Sequence, residues 1–180
     1  MQISEQAKAS VNHIFMKAAK ANLILSQDDV CDIETLQASK GQEMVEKNIF
    51  VLTISSYLFR ILVIFHVNDD KQTKNYFTQS DAERLYDEVF AELANLSCGA
   101  MNRDLGNYFP HLGLSTPYML TCKCMPYLKE LKPGHISQFK ISINSSVLLH
   151  ATICICAYTP FDFKVDMSAP EEETGGLELF

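Results

Sequence analysis

Residues 80–106 read SDAERLYDEVFAELANLSCGAMNRDLG, and this segment predicts the longest helix of the chain. Ser80 and Glu83 are spaced as a capping box, in which each side chain satisfies the backbone amide of the other residue. Acidic residues crowd the first half and Arg103 lies near the end, which is the charge order that the helix dipole favours. Gly106 is of a residue type that often terminates helices. We therefore expect one helix from Ser80 to Gly106.

This helix has two faces of different chemistry. An apolar set recurs at helical spacing and is expected to face a core; it comprises Leu85, Val89, Phe90, Leu93, Leu96, Ala100, Met101 and Leu105. A second set, spaced alternately by four and three residues, shares one face; it comprises Glu88, Glu92, Asn95, Gly99 and Asn102. Spacing alone leaves two interpretations of this second face, a solvated surface or a docking surface at which Gly99 admits a close approach.

The segment Glu92-Leu-Ala-Asn95-Leu-Ser-Cys-Gly99 resembles the E-x-x-N-x-x-x-G motif of the CheC/CheX family of chemotaxis phosphatases. The resemblance covers residues 8–160, and residues 10–15 (SVNHIF) are similar to the family's opening helix. It favours the CheX-like branch, because the first helix has no second Glu-x-x-Asn pair such as CheC has. The resemblance implies a phosphatase that hydrolyses the aspartyl phosphate of a CheY-type response regulator in chemotaxis and two-component signalling.

The resemblance also implies roles for individual residues. Asn95 is expected to orient the attacking water, and Glu92 to form a charge-assisted bond with a lysine of the receiver domain. Glu88, Gly99 and Asn102 are expected to extend the docking surface. The receiver supplies the Mg²⁺, so no metal or cofactor is expected on this chain, and a homodimer is expected by analogy. An alternative function stays open, a non-catalytic CheC-like module that binds a receiver domain or a flagellar-switch-like partner.

Composition bounds the class of protein. The chain has 180 residues, of which 47% are hydrophobic and 21% charged, as expected for one globular domain. Its net charge of -7 argues against a nucleic-acid surface. The first residues lack the apolar core of a secretory signal, so a cytoplasmic protein with reduced thiols is expected. We expect a CheX-like domain over residues 1–167 and an acidic, mobile tail over residues 168–180.

The remaining pattern predicts an α+β fold, a mainly antiparallel sheet of about six strands with two long helices packed on one face. The first helix is expected over residues 4–24 with Ser4 as its cap. Strands are expected at residues 30–38, twice within 48–67, at 118–125, at 136–144 and at 147–158, with loops at 71–79 and 107–117.

The apolar run of residues 48–67 is long enough to test as a membrane span. Arg60 near its middle would cost about 2.5 to 3.5 kcal/mol on insertion scales. Its β-branched and aromatic residues instead favour two buried strands joined by a tight turn, with no membrane contact.

Two cysteine pairs leave a further choice open. Cys122 with Cys124, and Cys154 with Cys156, would each share one face of a strand, and four thiolates can bind zinc. Cysteine is also a good small core residue, which favours buried thiols. The histidines show no metal-binding spacing, and no phosphate-binding glycine loop is present.

Overall fold

The computed structural model describes residues 2–36, 46–81 and 83–167. The helices of this part are α1 (Glu5–Leu23), α2 (Lys71–Thr78), α3 (Tyr86–Gly106) and a 3₁₀ helix (Cys122–Leu131). The strands are β1 (Cys31–Leu36), β2 (Asn48–Ser55), β3 (Phe59–Val67), β4 (Gly113–Leu114), β5 (Tyr118–Thr121), β6 (His135–Ile143) and β7 (Val147–Ala157).

The strands form one antiparallel sheet. Its order is β1-β6-β7-β3-β2-β4, and β5 also pairs with β2. Helices α1 and α3 pack on the same face, over a core that includes Phe15, Phe65 and Phe139. The predicted α+β fold is therefore confirmed, with one strand more than expected, because the two-residue strand β4 lies in the segment predicted as a loop.

Several local predictions are confirmed. Ser4 caps α1, since its side chain accepts a hydrogen bond from the amide of Ala7 at 3.1 Å. The apolar run forms the hairpin of β2 and β3, and no helix in the described part of the chain is long and apolar enough to cross a bilayer. Strands β6 and β7 form the second hairpin, which turns through Asn144 and Ser145 in left-handed conformation.

The first strand lies at one edge of the sheet, as its alternating pattern predicts, and it pairs with β6. The predicted end of this strand, at Ala38 and Gly41, lies outside the described residues. So does the predicted tail over residues 168–180.

The start of α3 was predicted wrongly. The helix begins at Tyr86, and Ser80 has a φ of 60°, which is incompatible with the extended backbone of a capping residue. Residues 71–79, predicted as a loop, contain α2, whose cap is Asp70. Phe77 of α2 packs edge-on against Phe90 of α3. The chain must therefore turn between the two helices, and residues that were predicted to begin α3 form this turn instead.

Two leucines predicted to face the core are exposed. Leu85 is 61% exposed and Leu96 is 41% exposed. The buried side of α3 consists of Phe90, Ala94, Ser97, Cys98, Met101 and Leu105. Three of these six residues are small, so this side of the helix lies close to its neighbours. Leu96 lies on another side of the helix and faces outward.

The predicted strand over residues 118–125 ends early. Strand β5 stops at Thr121, which is paired with Asn48, the first residue of β2, so β5 has no partner strand beyond that point. Pro126 also lacks the amide that a continued strand would need. The chain instead forms the 3₁₀ helix, which covers part of the sheet face opposite α1 and α3.

Candidate functional site

Helix α3 positions the residues of the motif. Its buried side packs against the sheet and α1, and Ser97 is satisfied locally by donating to the carbonyl of Leu93 at 2.9 Å. The ion pair between Lys17 of α1 and Asp104 of α3, at 3.1 Å, joins the two helices. With one side fixed in this way, the opposite side of α3 must face outward.

The outward side carries the predicted site. We call Glu88, Glu92, Asn95 and Gly99 the motif face. Glu88, Glu92 and Asn95 are exposed, and Gly99 is half-buried, as a residue without a side chain on an open helix is expected to be. Neither the side chain of Glu92 nor that of Asn95 has a hydrogen bond or an ion pair with any residue that the structure describes.

Asn102 lies at the border of this face. It is half-buried, and its Oδ1 atom is shielded from solvent without a hydrogen-bond partner in the described part of the chain. The structure thus brings four of the five predicted residues together on an open surface and places the fifth at the margin.

Three further side chains border the motif face. Leu85 and Leu96 expose apolar surface beside it, and Arg103 is exposed in the last turn of α3. A Cβ atom placed on Gly99 would lie 3.8 Å from Nη1 of Arg103. The guanidinium therefore extends back over Gly99, toward Asn95. The sequence contained a signal for this position, because Arg103 follows Gly99 by four residues and so continues the same face.

A second polar group lies on the sheet face opposite α1 and α3. His66 and His150 are paired across β3 and β7, and His66 contacts Thr152 through Nε2 at 2.9 Å. His150 donates from Nδ1 to the Glu46 carboxylate. His66, Thr152 and Glu46 are buried. Sequence reasoning did not find this group, although three of its members interrupt otherwise apolar strands.

Burial shapes the protonation of this group. It lowers the pKa of His66 to about 4, against the opposing charge of Glu46. Burial alone would raise the pKa of Glu46, but the hydrogen bond from His150 and the neighbouring imidazoles outweigh it and hold that pKa below its ordinary value. His66 is therefore neutral at physiological pH.

The two cysteine pairs, which the sequence left open as a zinc site or as buried thiols, lie together in a second apolar cluster. Cys154 and Cys156 are buried on β7, and Cys122 and Cys124 of the 3₁₀ helix pack against the same cluster. Burial, with Cys156 beside it, raises the pKa of Cys154 to about 12. In the residues that the structure describes, no three His, Cys, Asp or Glu side chains are arranged to hold a metal ion.

Comparison with known proteins gives a result at the level of structure. No family model and no curated protein sequence matches the chain. A crystal structure of a CheX-CheY-BeF3-Mg complex from Borrelia burgdorferi matches with a TM-score of 0.57 and 12% identity, over 81% of this chain and 97% of that one. CheX from Desulfovibrio desulfuricans matches with a TM-score of 0.56 and 12% identity, over 81% and 99%.

A domain of a protein named FliM has a similar structure. The FliM middle domain of Vibrio alginolyticus matches with a TM-score of 0.51 and 8% identity, over 84% of this chain and 94% of that one. At such sequence identities, structural similarity shows a shared fold and does not show a shared function. The chain thus has the fold of the CheC/CheX chemotaxis proteins, which is the fold that the motif from Glu92 to Gly99 predicted.

Proposed function

We propose that this protein is a CheX-like phosphatase that accelerates hydrolysis of the aspartyl phosphate of a CheY-type response regulator. The observation that carries the proposal is the exposure of Asn95 and Glu92, without partners in the described part of the chain, on the outward side of α3. A side chain already engaged in its own protein could not enter the active site of another. The CheX-like fold supports the proposal.

The reaction needs an ordered water more than it needs a new reactive group. The receiver domain holds the phosphoryl group, the Mg²⁺ and a lysine, which together neutralise charge. An asparagine carboxamide has both a donor and an acceptor, so Asn95 can hold a water in line with the bond to the leaving carboxylate. Fixing the water in this geometry removes an entropic part of the barrier.

Glu92 lies one helical turn before Asn95 and is exposed on the same face. Its carboxylate is suited to a charge-assisted bond with the lysine of the receiver. Glu88, Gly99 and Asn102 complete the contact area in this proposal, and the Mg²⁺ belongs to the receiver. The similar CheX structure from Borrelia burgdorferi, which contains CheY, BeF3 and Mg, supports this division of labour.

The test is release of inorganic phosphate from a panel of receiver domains phosphorylated by acetyl phosphate. We expect the protein to accelerate release from its cognate receiver, and Asn95→Ala to remove the acceleration by about 100-fold or more, because the water is no longer positioned. Asn107→Ala is the matched control, since Asn107 is also exposed and lies just after α3, about 18 Å along the helix axis from Asn95. Unchanged release by Asn95→Ala would contradict the mechanism.

A second candidate is a CheC-like binding module without catalysis, because the fold is shared by proteins with names as different as CheX and the FliM middle domain. This candidate predicts that the protein binds a BeF3-activated receiver and that release of phosphate stays at the rate of the receiver alone. The same panel therefore separates the two functions.

A further inference from the structure

Arg103 is a cation at the border of the motif face. It is exposed and takes part in no ion pair with a described residue. A surface arginine near the end of a helix can simply complement the helix dipole. Helical side chains lean toward the N-terminus of their helix, and the guanidinium of Arg103 accordingly lies beside Gly99, on the motif face.

The missing side chain of Gly99 leaves the surface open beside this guanidinium. Nη1 of Arg103 lies 3.8 Å from the position that a Cβ of residue 99 would occupy, an ordinary contact distance. Gly99 and Asn95 are four residues apart, which is about 6 Å along the helix axis. A charge-assisted hydrogen bond to a phosphoryl oxygen measures about 2.8 Å. A phosphoryl group that makes one such contact with Asn95 can therefore make a second one with Arg103 on its other side, across one helical turn.

We propose that Arg103 binds the phosphoryl oxygens of the receiver's aspartyl phosphate during hydrolysis, as a second catalytic residue beside Asn95. This inference rests on the proposed function. The guanidinium presents several N–H donors in a planar fork that matches phosphate oxygens, and it carries its charge at every physiological pH. It would provide a fixed positive charge on a protein whose net charge is -7.

In the reaction, the water held by Asn95 attacks phosphorus, and the bond between phosphorus and the aspartyl oxygen breaks. The receiver recovers its carboxylate, inorganic phosphate leaves and the water's proton passes to the phosphate or to solvent. Arg103 neither gains nor loses a proton. It stabilises the negative charge that spreads over the phosphoryl oxygens in the transition state.

The test compares Arg103→Gln and Arg103→Lys with the wild-type protein in single-turnover release of phosphate at several concentrations of the protein. We expect Arg103→Gln to lower the maximal rate about tenfold or more. Arg103→Lys is expected to fall between the two, because it keeps the charge and loses the fork. Arg84→Gln is the matched control, an exposed arginine that precedes α3 and makes the same change of net charge.

The outcomes separate this inference from the proposed function. If Asn95→Ala loses activity and Arg103→Gln keeps the maximal rate, or loses no more than Arg84→Gln, the role of Arg103 is refuted and the phosphatase function stands. A change confined to the half-saturating concentration would make Arg103 a docking residue and would also refute its catalytic role. If the wild-type protein accelerates release from no receiver, both proposals fail. Thermal melts of each variant test whether the fold is kept.

Discussion

The surroundings of Gly99 indicate whether the packing of this chain requires a glycine at residue 99. Apart from the two neighbouring residues and the backbone of its own helix, the nearest described atom to an added Cβ is Nη1 of Arg103, the end of a flexible side chain, at 3.8 Å. The chain's own packing therefore does not require glycine at this position. A glycine inside a helix also costs stability, so its presence is consistent with a demand from outside the chain.

We expect Gly99→Ala to raise the free energy of unfolding by about 0.5 to 1 kcal/mol, because alanine is the better helix former. The same change is expected to weaken the effect on the phosphorylated receiver, since the added methyl group stands between Asn95 and Arg103. Urea denaturation and phosphate release measure the two effects on one sample. Loss of stability in Gly99→Ala would show instead that the glycine serves internal packing.

Some residues of the candidate site could be predicted from the sequence, and others could not. Glu92, Asn95 and Gly99 were found from their spacing and a family motif, and the structure places all three on one outward face. Arg103 was read only as a charge near the helix end. The spacing of four residues places Arg103 on the same face as Gly99, but the distance between its guanidinium and Gly99 depends on the conformation of a long side chain, which spacing does not specify.

Helix α3 has one side that packs against the rest of the chain and one side that faces outward. Phe90 is fully buried, and its ring contacts those of Phe50, Phe65 and Phe77, which belong to β2, β3 and α2. Leu96 belongs to the same helix but is 41% exposed. The two residues therefore separate anchoring of the helix from any contact that it makes with a partner.

We expect Phe90→Ala to lower the free energy of unfolding by about 3 to 5 kcal/mol, because it leaves a cavity between α3, α2 and the sheet. Leu96→Ala is expected to change it by less than about 1 kcal/mol and to weaken binding of a BeF3-activated receiver. Chemical denaturation and titration calorimetry measure the two quantities. Equal destabilisation by both changes would mean that the outward side of α3 is packed against the chain itself.

The strands were easier to predict than the helix boundaries. The alternation of Phe139, Ile141 and Ile143 with polar residues identifies a strand with one buried face, and all three side chains are fully buried. The start of α3 depends instead on the packing of Phe77 against Phe90, a contact between two helices. Local capping signals such as that of Ser80 and Glu83 carry no information about such a contact.

The polar group of Glu46, His66, His150 and Thr152 makes the stability of the folded protein depend on pH. The pKa of His66 is about 4 in the folded protein and about 6.5 in an unfolded chain. Between these values the unfolded state binds a proton that the folded state does not, so stability falls as the pH is lowered. Glu46 acts in the same direction only near and below its ordinary pKa of 4.5.

We expect the free energy of unfolding to fall by about 2 kcal/mol between pH 7 and about pH 5 because of His66 alone. His66→Gln keeps a polar side chain near Thr152 and removes the titrating group, so its stability should depend less on pH in this window. Urea denaturation at a series of pH values measures the difference between the two proteins. Parallel profiles for the wild-type protein and His66→Gln would refute this assignment.

The fold as a whole was accessible from the sequence because its hydrophobic pattern is regular, even though the similar solved structures share about 12% of their residues with it. The pairing of the two histidines was not accessible in this way. His66 and His150 come from strands far apart in the chain, and their neighbourhood follows from the register of β3 with β7.

That register has a consequence for how the chain folds during synthesis. The ribosome makes β3 long before β7, and β1 long before its partner β6. Until the last hairpin emerges, the apolar edge of β3 has no partner, and such nascent edges are where polypeptides aggregate or recruit chaperones. Because most of the sheet's pairings join distant segments, folding should be slow and should start only when nearly all of residues 2–167 are available.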